Sequence, residues 1–475
     1  MKYVIVHYYT RSLWTGGIQM LFKRIKSEGL AHLSYFIGSG TEAVVIDPRR
    51  DCSIYADLAR NEGMKIKYIL ETHRNEDYVI GSLELQRMTG ARIYHGRGVD
   101  FKYGDYVDDG QKIRFASLEL RAMHTPGHTD ESMSYVLADL EAGEEPVMVF
   151  TGDALFIGDV GRTDLSGPEK TPGMAAKLYD SIFNRILPLG DEVILCPAHG
   201  AGSMCGGAIG SRENSTLGLE RIQNPALRYT DKEEFIRYKL QERLEFPPYF
   251  RQMEKYNLEG PPLTNGLPSP ELLLPREFRE EMEKGAVVVD TRLPHSFGGA
   301  HIRDTYSIWL SGLPSFAGWV LPYDTPILLV LEDKEHLETA VRYLVRLGYD
   351  NIKGFLNGGI ASWYIEALPV EGFDLLSVHD LKSKLDEKEE LFILDVRGDE
   401  EWESGHIEGA RHIYVGHVEE NLDKVPKDCQ VVVYCGSGRR SNIAASILKM
   451  NGYKKVFNVL GSMSAWKSAG YEVVK

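Results

Sequence analysis

The second half of the chain is written twice. Val287-Val288-Val289-Asp290-Thr291-Arg292 returns as Phe392-Ile393-Leu394-Asp395-Val396-Arg397, and Gly299-Ala300-His301-Ile302 as Gly405-His406-Ile407. Leu347-Gly348-Tyr349 returns as Asn451-Gly452-Tyr453, and Trp363 and Trp466 close the two copies. Each copy is the size of a small domain, and strand runs alternate with helical sequence within it, so each is expected to hold a mainly parallel sheet. The copies are placed at residues 270–371 and 374–475. Ahead of them Gly260-Pro261-Pro262 to Gly266-Leu267-Pro268 reads as a linker, residues 259–269.

The 475 residues exceed what one core serves. The first half, residues 20–258, shows a different regularity. Short β-branched runs end abruptly in polar residues: Tyr68–Leu70 in Glu71-Thr72-His73, Val147–Phe150 in Thr151-Gly152-Asp153, and Val193–Leu195 in Cys196-Pro197-Ala198-His199. Buried strands that each deliver a Thr, His or Asp at one end predict a layered α/β domain with one site at the rim of its sheets. Residues 1–19 fit no element and are expected to be a poorly specified extension, too short and polar for a signal peptide. A formal net charge of -15 argues against nucleic acid and anionic membranes as partners, and no run is long enough to span a bilayer. Five cysteines without paired spacing suit reduced thiols in a soluble, cytoplasmic protein.

Thr72-His73-Arg74-Asn75-Glu76-Asp77-Tyr78, Thr125-Pro126-Gly127-His128-Thr129, Thr151-Gly152-Asp153 and Pro197-Ala198-His199-Gly200 resemble, in order, the motifs of the metallo-β-lactamase superfamily. The resemblance implies an αββα fold and a metal site. It also departs from the family pattern, because Asn75 and Tyr78 stand where the first motif has its second and third histidines. Amide and neutral phenol are poor ligands for a divalent transition metal, which weakens a two-metal hydrolase reading. His73, His128 and Asp153 survive. Two histidines and a carboxylate suit a mononuclear non-haem Fe(II) oxygenase, and these positions match the iron ligands of the persulfide dioxygenase branch. That match implies one Fe(II) per chain, with zinc as the alternative. Asp77 and His199 either orient the ligands or form an alternative metal site with Asp153. In Gly161-Arg162-Thr163-Asp164, also similar to that branch, Arg162 is either a structural partner of Asp164 or a substrate contact. Cys205, in a glycine-rich loop past His199, is either a buried small residue or a thiol that handles sulfane sulfur near the metal.

In the last copy Val431–Tyr434 leads into Cys435-Gly436-Ser437-Gly438-Arg439-Arg440-Ser441, which resembles the active loop of single-domain rhodaneses. Inward backbone N–H groups and the start of a helix lower a cysteine pKa there, so Cys435 reads as a sulfur-carrying nucleophile. Arg440 is assigned to its catalysis, and Arg439 and Ser441 to an anionic donor or acceptor such as thiosulfate or sulfite. The earlier copy has Leu331-Glu332-Asp333-Lys334-Glu335 at that place, without nucleophile or glycines, and is expected to be a degenerate scaffold. The expected fold is therefore α/β multidomain: a metallo-β-lactamase fold followed by two rhodanese-like domains.

The expected function is oxidation of a low-molecular-weight thiol persulfide by dioxygen to thiol and sulfite, coupled to sulfurtransfer at Cys435. A zinc thioester hydrolase similar to glyoxalase II, and a metal-free scaffold with sulfurtransferase activity only, are the competing readings. The carrier thiol and the oligomeric state, a homo-oligomer included, stay open at this level.

Overall fold

The computed structural model describes residues 20–475, so the extension assigned to residues 1–19 lies outside the described residues. The described chain forms two compact units, residues 20–266 with 345–348, and residues 267–344 with 349–475.

In the first unit two six-stranded sheets each follow chain order, one from Leu21–Ser27 to Asp105–Tyr106, the other from Lys112–Phe115 to Ser215–Thr216. His32–Ser39 is buried along its whole length, and Glu42–Ile46 is buried beyond Glu42. A strand buried on both faces must be covered twice, and the alternation shows by what. Tyr35, Ile37, Val44 and Ile46 enter a core shared with Leu120, Tyr135 and Phe150 of the second sheet. Their neighbours Phe36, Ala43 and Val45 instead pack with Tyr55 and Leu85 of the helices Ser53–Asn61 and Ser82–Thr89. Met123, Val136 and Val149 on the far face of the second sheet meet Leu178 of the helix Thr171–Ser181. The layers run helix, sheet, sheet, helix, as the sequence motifs imply.

The second unit holds two five-stranded sheets, parallel throughout and built in the same order. Across the first they run Glu271–Leu273, Ile352–Leu356, Ile327–Val330, Val287–Asp290, Thr305–Ser307; across the second Asp374–Leu376, Val456–Val459, Gln430–Tyr434, Leu391–Asp395, Arg411–His412. The echoed residues are the joints of each copy. Asp290 binds Arg292 as Asp395 binds Arg397, and each arginine also donates to a backbone carbonyl at 2.9 Å, that of Ala300 or Gly405. His301 stacks on Phe297 and His406 on Trp402. Trp363 and Trp466 each donate to the carbonyl six residues on, of Pro369 and Glu472. No helix among the described residues is long and apolar enough to cross a membrane.

Candidate metal centre and sulfurtransfer loop

The four strand ends of the first unit converge. Lys65–Leu70 leads to His73, Leu118–His124 to His128, Pro146–Gly152 to Asp153, and Ile194–Pro197 to His199, all fully buried. Local contacts set each ring. Thr72 Oγ donates to Asp47 Oδ2 at 2.7 Å, so its oxygen accepts from His73 Nδ1 at 2.9 Å and leaves His73 Nε2 as the lone-pair nitrogen. His128 Nδ1 donates to the carbonyl of Arg162 at 3.0 Å, which frees Nε2 in the same way. Both Nε2 atoms are buried without a hydrogen-bond partner, although the interior rarely leaves such atoms unpaired. Close approach here requires Gly152: at its φ of +54°, a Cβ would stand 2.7 Å from Thr72 Oγ.

His73 Nε2 and His128 Nε2 lie 3.6 and 3.5 Å from Asp153 Oδ2. Two donors bonding one ion at about 2.1 Å with a tetrahedral angle stand roughly 3.4 Å apart, so the three residues fit a single transition-metal ion. Burial holds His73 neutral, down at about 3, even though Asp153 opposes that shift. Burial also raises the Asp153 carboxyl, but His199 and His73 outweigh it and hold it well below the usual carboxylate range. His199 lies between two carboxylates, with Nδ1 2.8 Å from Asp153 Oδ1 and Nε2 2.9 Å from Asp77 Oδ2. Burial would lower its pKa, yet Asp153 and Asp77 lift it well above the ordinary value. With Nδ1 against Asp153 and Nε2 beside Asp77, His199 stands where it can orient the Asp153 carboxylate.

Asn75 spends its amide on the carbonyl of His73, and Tyr78 lies against the ring of His32 at 4.0 Å between centroids. Cys205 is fully buried, and its sulfur comes within 4.8 Å of donor atoms of Glu76 and His128, and of Asp77 and His199. Burial, with Asp77 and Asp153 next, pushes that thiol well above its ordinary pKa, so it stays protonated. Glu76, which the motif comparison passes over, is completely buried with Oε2 3.4 Å from His128 Nε2 and 3.9 Å from His73 Nε2.

Arg162 is paired with Asp164, the first of the two arrangements expected for it. Its side chain is fully buried; Nε and Nη2 grip Asp164 at 2.7 and 2.8 Å, and Nη1 donates to the carbonyls of Met204 and Glu245. Its backbone N–H donates to the carbonyl of Cys205. With these bonds made it braces the backbone beside His128 and Cys205.

In the second unit the loop after Gln430–Tyr434 wraps Cys435, and the helix Arg440–Met450 follows. Cys435 Sγ receives the N–H of Gly438 at 3.2 Å and the hydroxyl of Ser441 at 3.5 Å. Burial raises the thiol, but Ser441, Arg440 and the backbone at Ser437 together bring it below its ordinary value. Gly438, at φ +93°, permits the turn. Arg440 is held in a two-point pair with Glu401 at 2.6 and 2.8 Å, so Glu401 aims it; Glu401 was missed because it lies 39 residues upstream. Arg439 stays exposed, with its guanidinium 5.7 Å from the Trp309 ring of the other copy. In that copy Leu331 follows the strand Ile327–Val330, and the Asp333 carboxylate accepts the Glu335 N–H at 2.9 Å. An acid occupies the loop that elsewhere offers its N–H groups to sulfur.

Comparisons with known proteins agree with this layout. The family described as "Metallo-beta-lactamase superfamily" matches residues 28–199, and "Rhodanese-like domain" matches 274–366 and 377–469. The mitochondrial persulfide dioxygenase ETHE1 of Bos taurus is 30% identical over 239 residues, 49% of this chain and 84% of its own length. YrkF of Bacillus subtilis, a putative sulfur carrier protein by name, is 43% identical over 91 residues, 19% of this chain and 49% of its own. A crystal structure of a metallo-beta-lactamase from Staphylococcus aureus subsp. aureus COL superposes with a TM-score of 0.64 at 32% identity, covering 71% of this chain and 98% of that one. The chain therefore belongs to the metallo-beta-lactamase superfamily, as a relative of the ETHE1 proteins that carries two rhodanese-like domains in tandem.

Proposed function

We propose that the chain is a persulfide dioxygenase with a sulfurtransferase activity of its own. The observation that carries this reading is the pair of partnerless Nε2 atoms of His73 and His128 facing Asp153, beside Asn75 and Tyr78 where a second metal would need imidazoles. Two histidines and one carboxylate leave positions free for a substrate sulfur and dioxygen, which is the arrangement of non-haem iron oxygenases. The reaction R–S–SH + O2 + H2O → R–SH + H2SO3 takes the sulfane sulfur to the oxidation state of sulfite and reduces dioxygen by four electrons. Iron, when bound, supplies the electron transfer and oxygen binding that the side chains lack.

The protein's own groups do the rest. His73 and His128 hold one tautomer, set by Thr72 and by the carbonyl of Arg162. His199 Nδ1, 2.8 Å from Asp153 Oδ1, keeps that carboxylate turned. At the second site the Cys435 thiolate attacks the sulfane sulfur of a donor persulfide, giving Cys435–S–SH and releasing R–S⁻. Sulfite then takes that sulfur as thiosulfate and the thiolate returns. Arg440 and the loop N–H groups stabilise the sulfur anion at each stage.

Metal content tests the assignment. Protein purified without added metal should hold one iron per chain, and His73→Ala should lose it together with oxygen uptake. Two tightly held zincs, with thioester hydrolysis, would establish the hydrolase reading instead.

A further inference from the structure

Glu76 has a location that nothing in the proposed chemistry uses. It is fully buried, and neither carboxylate oxygen has a hydrogen-bond partner. A carboxylate in such a place is destabilising unless something compensates it.

The loop around it does not need it. Arg74 is anchored by Glu254 through its guanidinium and by Glu131 through its N–H. Asn257 donates to the carbonyls of Asn75 and Tyr78 at 2.7 and 2.8 Å, and Asn75 closes onto His73. Each neighbour in the segment is pinned by another residue, whereas Glu76 faces the free Nε2 atoms of His128 and His73, at 3.4 and 3.9 Å, with the Cys205 sulfur within 4.8 Å. Those separations resemble the ones between the same nitrogens and Asp153, the spacing of groups that share an ion at about 2.1 Å.

We propose that Glu76 is a further metal-binding residue, so that two histidines and two carboxylates, His73, His128, Asp153 and Glu76, face the ion. The inference rests on the metal site proposed above. Two carboxylates balance the charge of a divalent ion in a buried site, and oxygen-rich surroundings favour harder divalent ions than an all-imidazole cage does. A bound ion would then compensate the Glu76 charge, which otherwise has His128 Nε2 at 3.4 Å as its nearest basic group.

Glu76→Gln in the full-length protein tests this, because glutamine keeps the shape and removes the charge. Stripped of metal, the variant should melt at or above the wild-type temperature, since a partnerless buried charge has gone. Its Fe(II) affinity, measured against a competing chelator, should fall by about 10–100-fold, with a parallel loss for Zn(II). The EPR spectrum of the nitric oxide adduct of the ferrous protein should change as well. Wild-type affinity together with an unchanged nitrosyl spectrum would overturn the proposal, as would a metal-free variant that melts well below wild type, because Glu76 would then serve the fold. The outcomes stay separate from the oxygenase reading: protein that binds metal through Glu76 yet consumes no oxygen defeats that reading alone, and an active oxygenase indifferent to Glu76→Gln defeats this one alone.

Discussion

Arg162→Met is the most informative single change away from the ligands. Methionine fills much of the arginine's volume but makes none of its bonds: two charge-assisted bonds to Asp164 and one to each carbonyl of Met204 and Glu245. Breaking a buried pair costs about 3–5 kcal/mol. Asp164 is 38% exposed and regains water, so the lower end applies, about 3 kcal/mol. In a domain of this size that lowers Tm by roughly 6–12 °C in metal-free protein. Methionine keeps the backbone carbonyl that fixes His128 and the N–H that holds Cys205, so the metal is affected only as far as the unbraced loop shifts them, at most the about 10–100-fold in affinity that losing a ligand's support costs. Calorimetry and chelator competition measure the two effects. If the variant kept both Tm and metal affinity while KM alone rose, Arg162 would be a substrate contact and the bracing role would be refuted.

Asn75→His with Tyr78→His should admit a second divalent ion, raise zinc content towards two per chain and weaken oxygen uptake; elemental analysis checks it, and a variant still holding one ion would place the cause elsewhere. Cys435→Ser should abolish sulfurtransfer to sulfite and leave oxygen uptake with a persulfide largely intact, so that sulfite accumulates in place of thiosulfate. The Cys435 thiol lies below its ordinary pKa, so alkylation of the wild type should rise with pH and level off earlier than for an ordinary thiol. Ser441→Ala should move that midpoint upward, because it removes a donor to the thiolate; an unmoved midpoint would leave the lowering to Arg440 and the backbone.

The sequence carried the architecture where local pattern and burial coincide. Strands buried on both faces have to end where polar ligands begin, so His73, His128, Asp153 and His199 could be found at strand ends before their distances were known. The repeat was legible because Asp290 with Arg292, and Asp395 with Arg397, close bonds within two residues. Partners distant in the chain were not legible. Asp47 reaches Thr72 across 25 residues, Glu401 reaches Arg440 across 39, and Glu245 fixes Arg162 across 83. Glu76 sits in a loop where no periodicity says which way a side chain points. Its one sequence signal is an acid beside Asp77 in a segment that proves wholly buried except at Arg74.

Oxygen uptake by the iron-loaded full-length protein, given a glutathione, coenzyme A or bacillithiol persulfide in turn, bears most directly on the assignment. At least one of these persulfides should consume one dioxygen for each sulfane sulfur oxidised. In Cys435→Ser the sulfite formed should match the oxygen used, and His73→Ala should show no uptake. Iron-loaded protein that leaves all three persulfides and the dissolved oxygen untouched, while its zinc form hydrolyses a glutathione thioester, would contradict the assignment.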